Sequence, residues 1–358
     1  MSSLSSVEVD IDALVSNAQK LKALAGESYF VLKSDAYGHG AIECAKALFQ
    51  ANMSRFAVFS YEEALRIKPY VGNARVLILA RTPAECIDDL KRCGFVQTVF
   101  SDEYIKELIP YSKGLKSEIK LECGMHRSGF TATASGIRYA LSGFQGEICG
   151  VYSHLSCADA PEPSLAYVQL SDFVSRSERL EGELKIPLEK HVAASAAALR
   201  MPQARLGLCR IGLALYGIMP ECCENICGLK PVMSVKASVI SVQRVKKNEF
   251  IGYGCDHRAK ADSMIATVAI GYANGLPRIA AKSFMPQING YRVPFAANIC
   301  MDRCMLDVTR IFDDGKSVKP YDTAFIVGNG VSVHELASSE KSIPYETVTR
   351  LGRMNKGK

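Results

Sequence analysis

The chain has 358 residues, of which 48% are apolar and 22% charged, enough to bury a sizeable core and too apolar for a disordered or low-complexity protein. Its net charge of +6 contains no Lys/Arg block of five or more, which suits small acidic ligands better than a nucleic-acid surface. The opening MSSLSSVEVDID lacks an apolar signal core, and no run of about eighteen apolar residues occurs, so neither secretion nor a membrane span is expected. Thirteen scattered cysteines then read as reduced cytoplasmic thiols. The nearest groupings, ECCENIC (Cys222, Cys223, Cys227) and CMDRC (Cys300, Cys304), lack paired spacing with histidine, and no metal site is expected.

In chain order, the extended opening VEVDID (7–12) is compatible with either of two domains. Short apolar runs then recur as predicted strands: SYFVLK (28–33), FAVFS (56–60), VLILA (76–80), QTVFS (97–101), EIKLE (118–122), ICGVYSHL (148–155), PLEKHVAA (187–194) and LCRIGLALYG (208–217). Between them lie helical patterns such as AIECAKALFQA (41–51), YEEALRIK (61–68), EYIKELIP (103–110) and the long periodic LAYVQLSDFVSRSERLEGEL (165–184). Eight strands alternating with helices predict an α/β parallel sheet closed as a (β/α)8 TIM barrel over residues 1–229, the first ~8 residues being open to either domain. Near Leu229 the pattern changes. SVKASVISVQRVKKNEFIGYG alternates with period two, and MIATVAIGY (264–272), YRVPF (291–295) and TAFIVGNG (323–330) follow, so residues 230–358 read as a smaller β-rich C-terminal domain.

Barrel chemistry sits at the C-terminal ends of the strands. Lys33 ends the first predicted strand, and Tyr37 lies in the loop after it. His154 ends the sixth, and Arg210 and Gly212 fall near the end of the eighth, where barrels often bind phosphate. A lysine, a ring that can stack, an arginine and a phosphate cradle together suit an enzyme in which lysine holds pyridoxal phosphate as a Schiff base. Each residue alone also has an ordinary reading: a snorkelling strand-end lysine, a core histidine, an ion-paired arginine, or a turn (DAYGHG) that merely leads into a helix.

VLKSDAYGHG resembles the pyridoxal phosphate attachment motif of alanine racemases. LECGMHRSGF, YSHLSCADA, HVAASAAALR, CRIGLALYG, IGYGCDH, AIGYANG and NICMD resemble further blocks of that family in the same order. The resemblance implies a pyridoxal 5'-phosphate-dependent racemase that interconverts L- and D-alanine, works as a cytoplasmic homodimer and supplies D-alanine for cell-wall peptidoglycan. It implies that Lys33 attaches the cofactor and is one of two catalytic bases, and that Tyr253 is the other, contributed by the other subunit. Two bases are needed because the α-proton leaves one face and returns to the opposite one. By the same resemblance Arg210 meets the pyridine nitrogen, His154 lies by the ring, and Tyr37, Ser195, Gly212 and Leu213 hold the phosphate.

Arg127, Met301 and Asp302 match the substrate-carboxylate positions, and Asp159, Tyr272 and Arg278 match the substrate corridor. Lys120 matches a lysine that some members carry as a carbamate. The chain departs from the family at several places. Glu122 stands where Asp is common, Asn298 replaces a corridor arginine, and an ungapped extension from Tyr345 puts Arg353 where a tyrosine narrows the entrance. Losing a constricting phenol would admit a larger side chain, which makes serine or a broader substrate range the alternative. A barrel-type amino-acid decarboxylase is the rival from another reaction class, and it would release carbon dioxide.

Overall fold

The computed structural model describes residues 4–220 and 222–357, of which 355–357 by backbone only; residues 1–3 of the expected first domain lie outside the described residues. The chain forms two compact units, one of Ile11–Ala36 and Ala41–Lys230, the other of Met1–Asp10, Tyr37–Gly40 and Pro231–Lys358. Strand β1 (Ser5–Val9) belongs to the second unit and pairs antiparallel with a strand described below. The expected extension of this opening to residue 12 is corrected, because Ile11–Ala25 is helical. Its Leu14, Ala18, Leu21 and Ala25 are buried at helical spacing.

Eight strands make the barrel: β2 (Glu27–Val31), β3 (Arg55–Val58), β4 (Arg75–Ile78), β5 (Val96–Val99), β6 (Lys116–Lys120), β7 (Glu147–Tyr152), β8 (Glu189–His191) and β9 (Leu208–Ile211). They are parallel in the order β8-β7-β6-β5-β4-β3-β2-β9. The Arg210 N–H donates to the Ala193 carbonyl at 2.9 Å across the β8–β9 seam. Strands covered on both faces favour near-continuous apolar runs, and Phe56–Val58 and Val76–Ile78 are buried without interruption. Serines turn the chain from strand to helix by accepting a backbone N–H: Ser60 from Glu63 at 3.4 Å before helix Tyr61–Ile67, and Ser101 from Tyr104 at 3.2 Å before helix Asp102–Leu108. The expected strands at 148–155 and 208–217 are shorter, ending at Tyr152 and Ile211. Leu213–Tyr216 winds into a fully buried 3-10 turn, whose apolar residues mimic a strand in sequence.

The other unit is built on a 13-residue strand, β10 (Met233–Val245), whose inward residues alternate with half-buried ones as period two requires. It joins β11 (Ser263–Val268), β12 (Gln287–Ile288), β13 (Tyr291–Arg292), β14 (Cys304–Asp307) and β15 (Thr323–Val327) in the order β13-β12-β15-β10-β11-β14, with β1 against β10. The expected long strand stops at Val245, and Tyr253 sits in a short 3-10 turn beyond it. All thirteen cysteines are free thiols. Among the described residues no helix is long and apolar enough to cross a membrane.

Candidate active site

Lys33 follows β2 directly, and the four residues after it adopt the left-handed conformation: Ser34 (φ 53°), Asp35 (φ 58°), Ala36 (φ 54°) and Tyr37 (φ 53°). Each such residue with a Cβ costs roughly 1–2 kcal/mol, so the surroundings must hold the turn. Glu63 does so from the next βα unit, accepting the Ser34 N–H at 2.7 Å and the Phe59 N–H at 2.7 Å. Asp35 accepts the Ala41 N–H at 3.0 Å, and Arg66 approaches the same oxygen at 3.3 Å. DAYGHG is therefore a strained, clamped turn, the kind of backbone that persists at functional sites. In the second unit its far end is pressed flat: a Cβ on Gly38 would lie 2.6 Å from the Val348 carbonyl, and one on Gly352 would lie 2.1 Å from that of Gly38. Tyr37 is buried there, its ring 6.1 Å from that of Tyr345.

Within the barrel unit, Lys33, Lys120, Arg127 and Arg210 act on one another electrostatically. Burial, and then the positive charges of Arg127 and Arg210, hold the Lys33 amine below its ordinary range, with Glu63 opposing. Burial, Arg127 and Arg210 bring Lys120 down to about 8. Its Nζ donates to Ser128 Oγ at 2.6 Å. Four cations gathered at one barrel mouth suit a ligand with more than one negative charge.

The loop that carries Arg127 is organised by Glu122. Its carboxylate accepts the backbone N–H of Gly124 (2.8 Å), Met125 (2.6 Å), His126 (2.9 Å) and Arg127 (3.3 Å). Burial alone would raise its pKa, but these donors outweigh that and hold it below the usual carboxylate range. Arg176 closes the loop from outside, donating to the carbonyls of Glu122, Phe130 and Ala132.

Arg210, on β9, is 5% exposed. Its Nη1 lies 2.6 Å from His191 Nδ1 and donates to the His191 carbonyl at 2.9 Å. Its Nη2 donates to the Ser153 carbonyl at 2.6 Å and lies 3.3 Å from His154 Nδ1. Both Nη groups are thereby used, and the Nε–H has no partner among the described residues. His154 is half-buried, and burial and the cations Arg210, Arg127, Lys120 and Lys33 hold it neutral, well below the ordinary histidine range. Ser195 Oγ accepts the N–H of Gly212 (3.1 Å) and of Ala214 (3.2 Å), tying the turn that contains Gly212 and the buried Leu213 to helix Ser195–Arg200. Asp159 is exposed.

The remaining expected residues gather in the second unit. Tyr253, Tyr272, Arg278, Asn298, Met301 and Asp302 line one cleft of about 620 Å³. Three apolar members of its rim stand in solvent in the isolated chain: Tyr253 at 78%, Met301 at 59% and Tyr272 at 44% exposure. Arg353 is exposed and lines a neighbouring cleft with Tyr272, Asn274 and Arg350. Arg350 is itself pinned there, donating to both Glu340 oxygens (2.7 and 2.5 Å) and to the Gly275 carbonyl at 2.8 Å.

Sequence reasoning missed Glu118, His191, Tyr29 and Glu63. A signal existed for the first: Glu118 and Lys120 alternate along β6, so a charged residue two places before Lys120 shares its inward face. Nothing local marks the other three.

The model of the alanine racemase N-terminal domain matches residues 9–220, and that of the C-terminal domain matches 232–357. The chain is 34% identical to alanine racemase 2 of Caldanaerobacter subterraneus subsp. tengcongensis and 31% identical to alanine racemase 1 of Clostridium acetobutylicum. Each comparison covers 97% of this chain and 92% of the relative. Among solved structures it resembles the alanine racemase of Clostridium difficile (TM-score 0.90, 28% identity, 98% of this chain and 94% of that one). It also resembles the alanine racemase of Bartonella henselae with covalently bound pyridoxal phosphate (TM-score 0.88, 26% identity, 98% of both chains).

Proposed function

We propose that this chain, which belongs to the alanine racemase family, interconverts L- and D-alanine with pyridoxal 5'-phosphate held in its barrel. The observation that carries this reading is Lys33, set at the end of β2 on a clamped left-handed turn, its amine depressed by burial and by two arginines. The residues present fit the cofactor. A buried guanidinium that has spent both Nη groups on the protein keeps one N–H for a ring nitrogen. Lys33 supplies an amine of the kind that forms a covalent link. Ser195, Gly212 and Leu213 would hold the phosphate. Bound pyridoxal phosphate supplies an electron sink that acidifies the α-C–H of the attached amino acid.

The chain's own groups then have three tasks. Arg127, on the loop ordered by Glu122, binds the substrate carboxylate, for which a guanidinium's paired donors are apt. Lys33 Nζ takes or returns the α-proton on one face. The partner subunit's Tyr253 does so on the other, so each turnover leaves the two bases with exchanged protonation states. The exposed rim of Tyr253, Met301 and Tyr272 supports a second copy of the chain over that cleft. There Met301 and Asp302 approach the carboxylate, and Tyr272, Arg278, Asn298 and Arg353 line the corridor.

Lys120 is the site we assign to carbamylation. An amine near 8 is partly neutral at physiological pH and attacks carbon dioxide, releasing a proton and leaving an anion beside Arg127. Protein equilibrated with 13C-labelled bicarbonate should show one carbamate resonance that Lys120→Ala removes; a spectrum without it rejects the assignment.

The test of the function is α-proton exchange in deuterated water followed by chiral analysis of the product. Alanine should exchange and invert. Fast inversion of serine with slow alanine would move the assignment to serine, and no exchange with cofactor bound would overturn the racemase reading.

A further inference from the structure

Behind Arg210 lies a row of polar groups that none of the steps above uses. Glu118, fully buried on β6, accepts the Tyr29 hydroxyl at 2.7 Å and an Arg75 N–H at 2.9 Å on one oxygen; its other oxygen lies 2.7 Å from His191 Nε2. The opposite ring nitrogen, His191 Nδ1, lies 2.6 Å from Arg210 Nη1. The imidazole is fixed from both sides, its ring stacked on Tyr152 at 4.9 Å and tilted against Tyr29 at 5.4 Å. Arg75 continues the row to Glu189, which also holds Arg55 at 2.7 Å.

These contacts force one protonation pattern. A guanidinium has only donors, so the nitrogen facing Arg210 must present a lone pair. A carboxylate has only acceptors, so the nitrogen facing Glu118 must carry the hydrogen. Burial pushes His191 down, which keeps it neutral. Burial would push Glu118 up, but His191 and Arg75 outweigh it and keep the carboxylate ionised.

We propose that Glu118 and His191 are positioning residues for Arg210, a buried carboxylate–imidazole–guanidinium relay that sets where the remaining Nε–H points. The inference rests on the reading that Arg210 faces the cofactor's ring nitrogen. It follows from a count of donors. Arg210 Nη1 is held by the ring and carbonyl of one residue, His191, so a turn of that ring moves the guanidinium with it. Among the described residues only Glu118 meets the ring's other nitrogen. Glu118→Gln keeps the shape but cannot keep the pattern. Its amide NH2 must face either Arg75 or His191 Nε2. The first sets donor against donor directly; the second swaps the tautomer and sets Nδ1–H against Arg210.

The experiment has two readouts on the protein with pyridoxal phosphate bound. First, 15N NMR of the histidine side chains, with His191 assigned by its loss in His191→Gln, should show the Nε2–H tautomer near neutral pH; the Nδ1–H tautomer or a charged ring would overturn the relay. Second, Glu118→Gln should lower kcat for alanine by about 10- to 100-fold, the scale seen when an outer-shell partner that orients a histidine is removed, while KM moves far less. A kcat within about twofold of native would overturn it. The tautomer is read on the native protein, so a Glu118→Gln variant that fails to fold does not end the test. Failure of the native enzyme to exchange alanine's α-proton strikes the functional reading alone and leaves the tautomer result standing.

Discussion

Replacing Lys33 with alanine should abolish racemisation in both directions, by about three orders of magnitude or more, because it removes the attachment point and one of the two bases together. Borohydride reduction and mass spectrometry should find the cofactor's mass on Lys33 of the native chain and nowhere on the variant. Loss of activity with the cofactor still covalently attached elsewhere would refute the assignment. The same substitution separates chemistry from folding. A lysine whose folded pKa lies below its unfolded one binds protons more weakly in the folded state. The resulting cost to stability is full below the folded value and disappears as pH rises past the unfolded value. At neutral pH the cofactor-free Lys33→Ala protein should therefore melt no lower than the native chain, while being inactive. For the native enzyme, kcat should rise with pH through the range of the lowered lysine amine, since in the substrate complex the neutral amine is the base.

Lys33 was legible because its signal is local: an apolar run ending in lysine, then a turn-forming segment with two glycines. That the segment is left-handed over Ser34–Tyr37 was not, because those residue types disfavour the conformation and it is held by Glu63, Asp35 and the close backbone approach at Gly38. The barrel strands were read to within a few residues, since burial on both faces forces short continuous apolar runs. Their ends were misread where buried apolar residues leave the sheet, as Leu213–Tyr216 do. Helix Ile11–Ala25 carried a readable i, i+4, i+7 pattern that the alternating VEVDID in front of it obscured.

The relay behind Arg210 was hidden for a different reason. Its bonds join residues 73 and 89 apart in sequence, between strands that only barrel closure brings face to face. A charged side chain on the inward face of β6 was the one clue. Ionised groups inside a barrel are costly unless every partner is present, and a single sequence shows the charge without the partners.

A mixture of two inactive variants should regain activity. In the proposed dimer each site takes Lys33 from one chain and Tyr253 from the other, and the two residues lie on different units of the chain. Tyr253→Phe alone should be nearly inactive in overall racemisation, because one face of the α-carbon loses its base while Lys33 still serves the other. Unfolding and refolding it together with Lys33→Ala makes half of the dimers mixed. In each mixed dimer one site has lost both residues and the other has kept both, so about a quarter of native activity should return. Single-face proton exchange should persist in Tyr253→Phe by itself, which distinguishes a missing base from a damaged site. If Tyr253 served the site of its own chain, every site in the mixture would lack one base and no activity would return. The exposed rim of Tyr253, Met301 and Tyr272 gives the physical reason to expect recovery: a catalytic phenol left 78% in solvent by its own chain needs a second surface to exclude water around it.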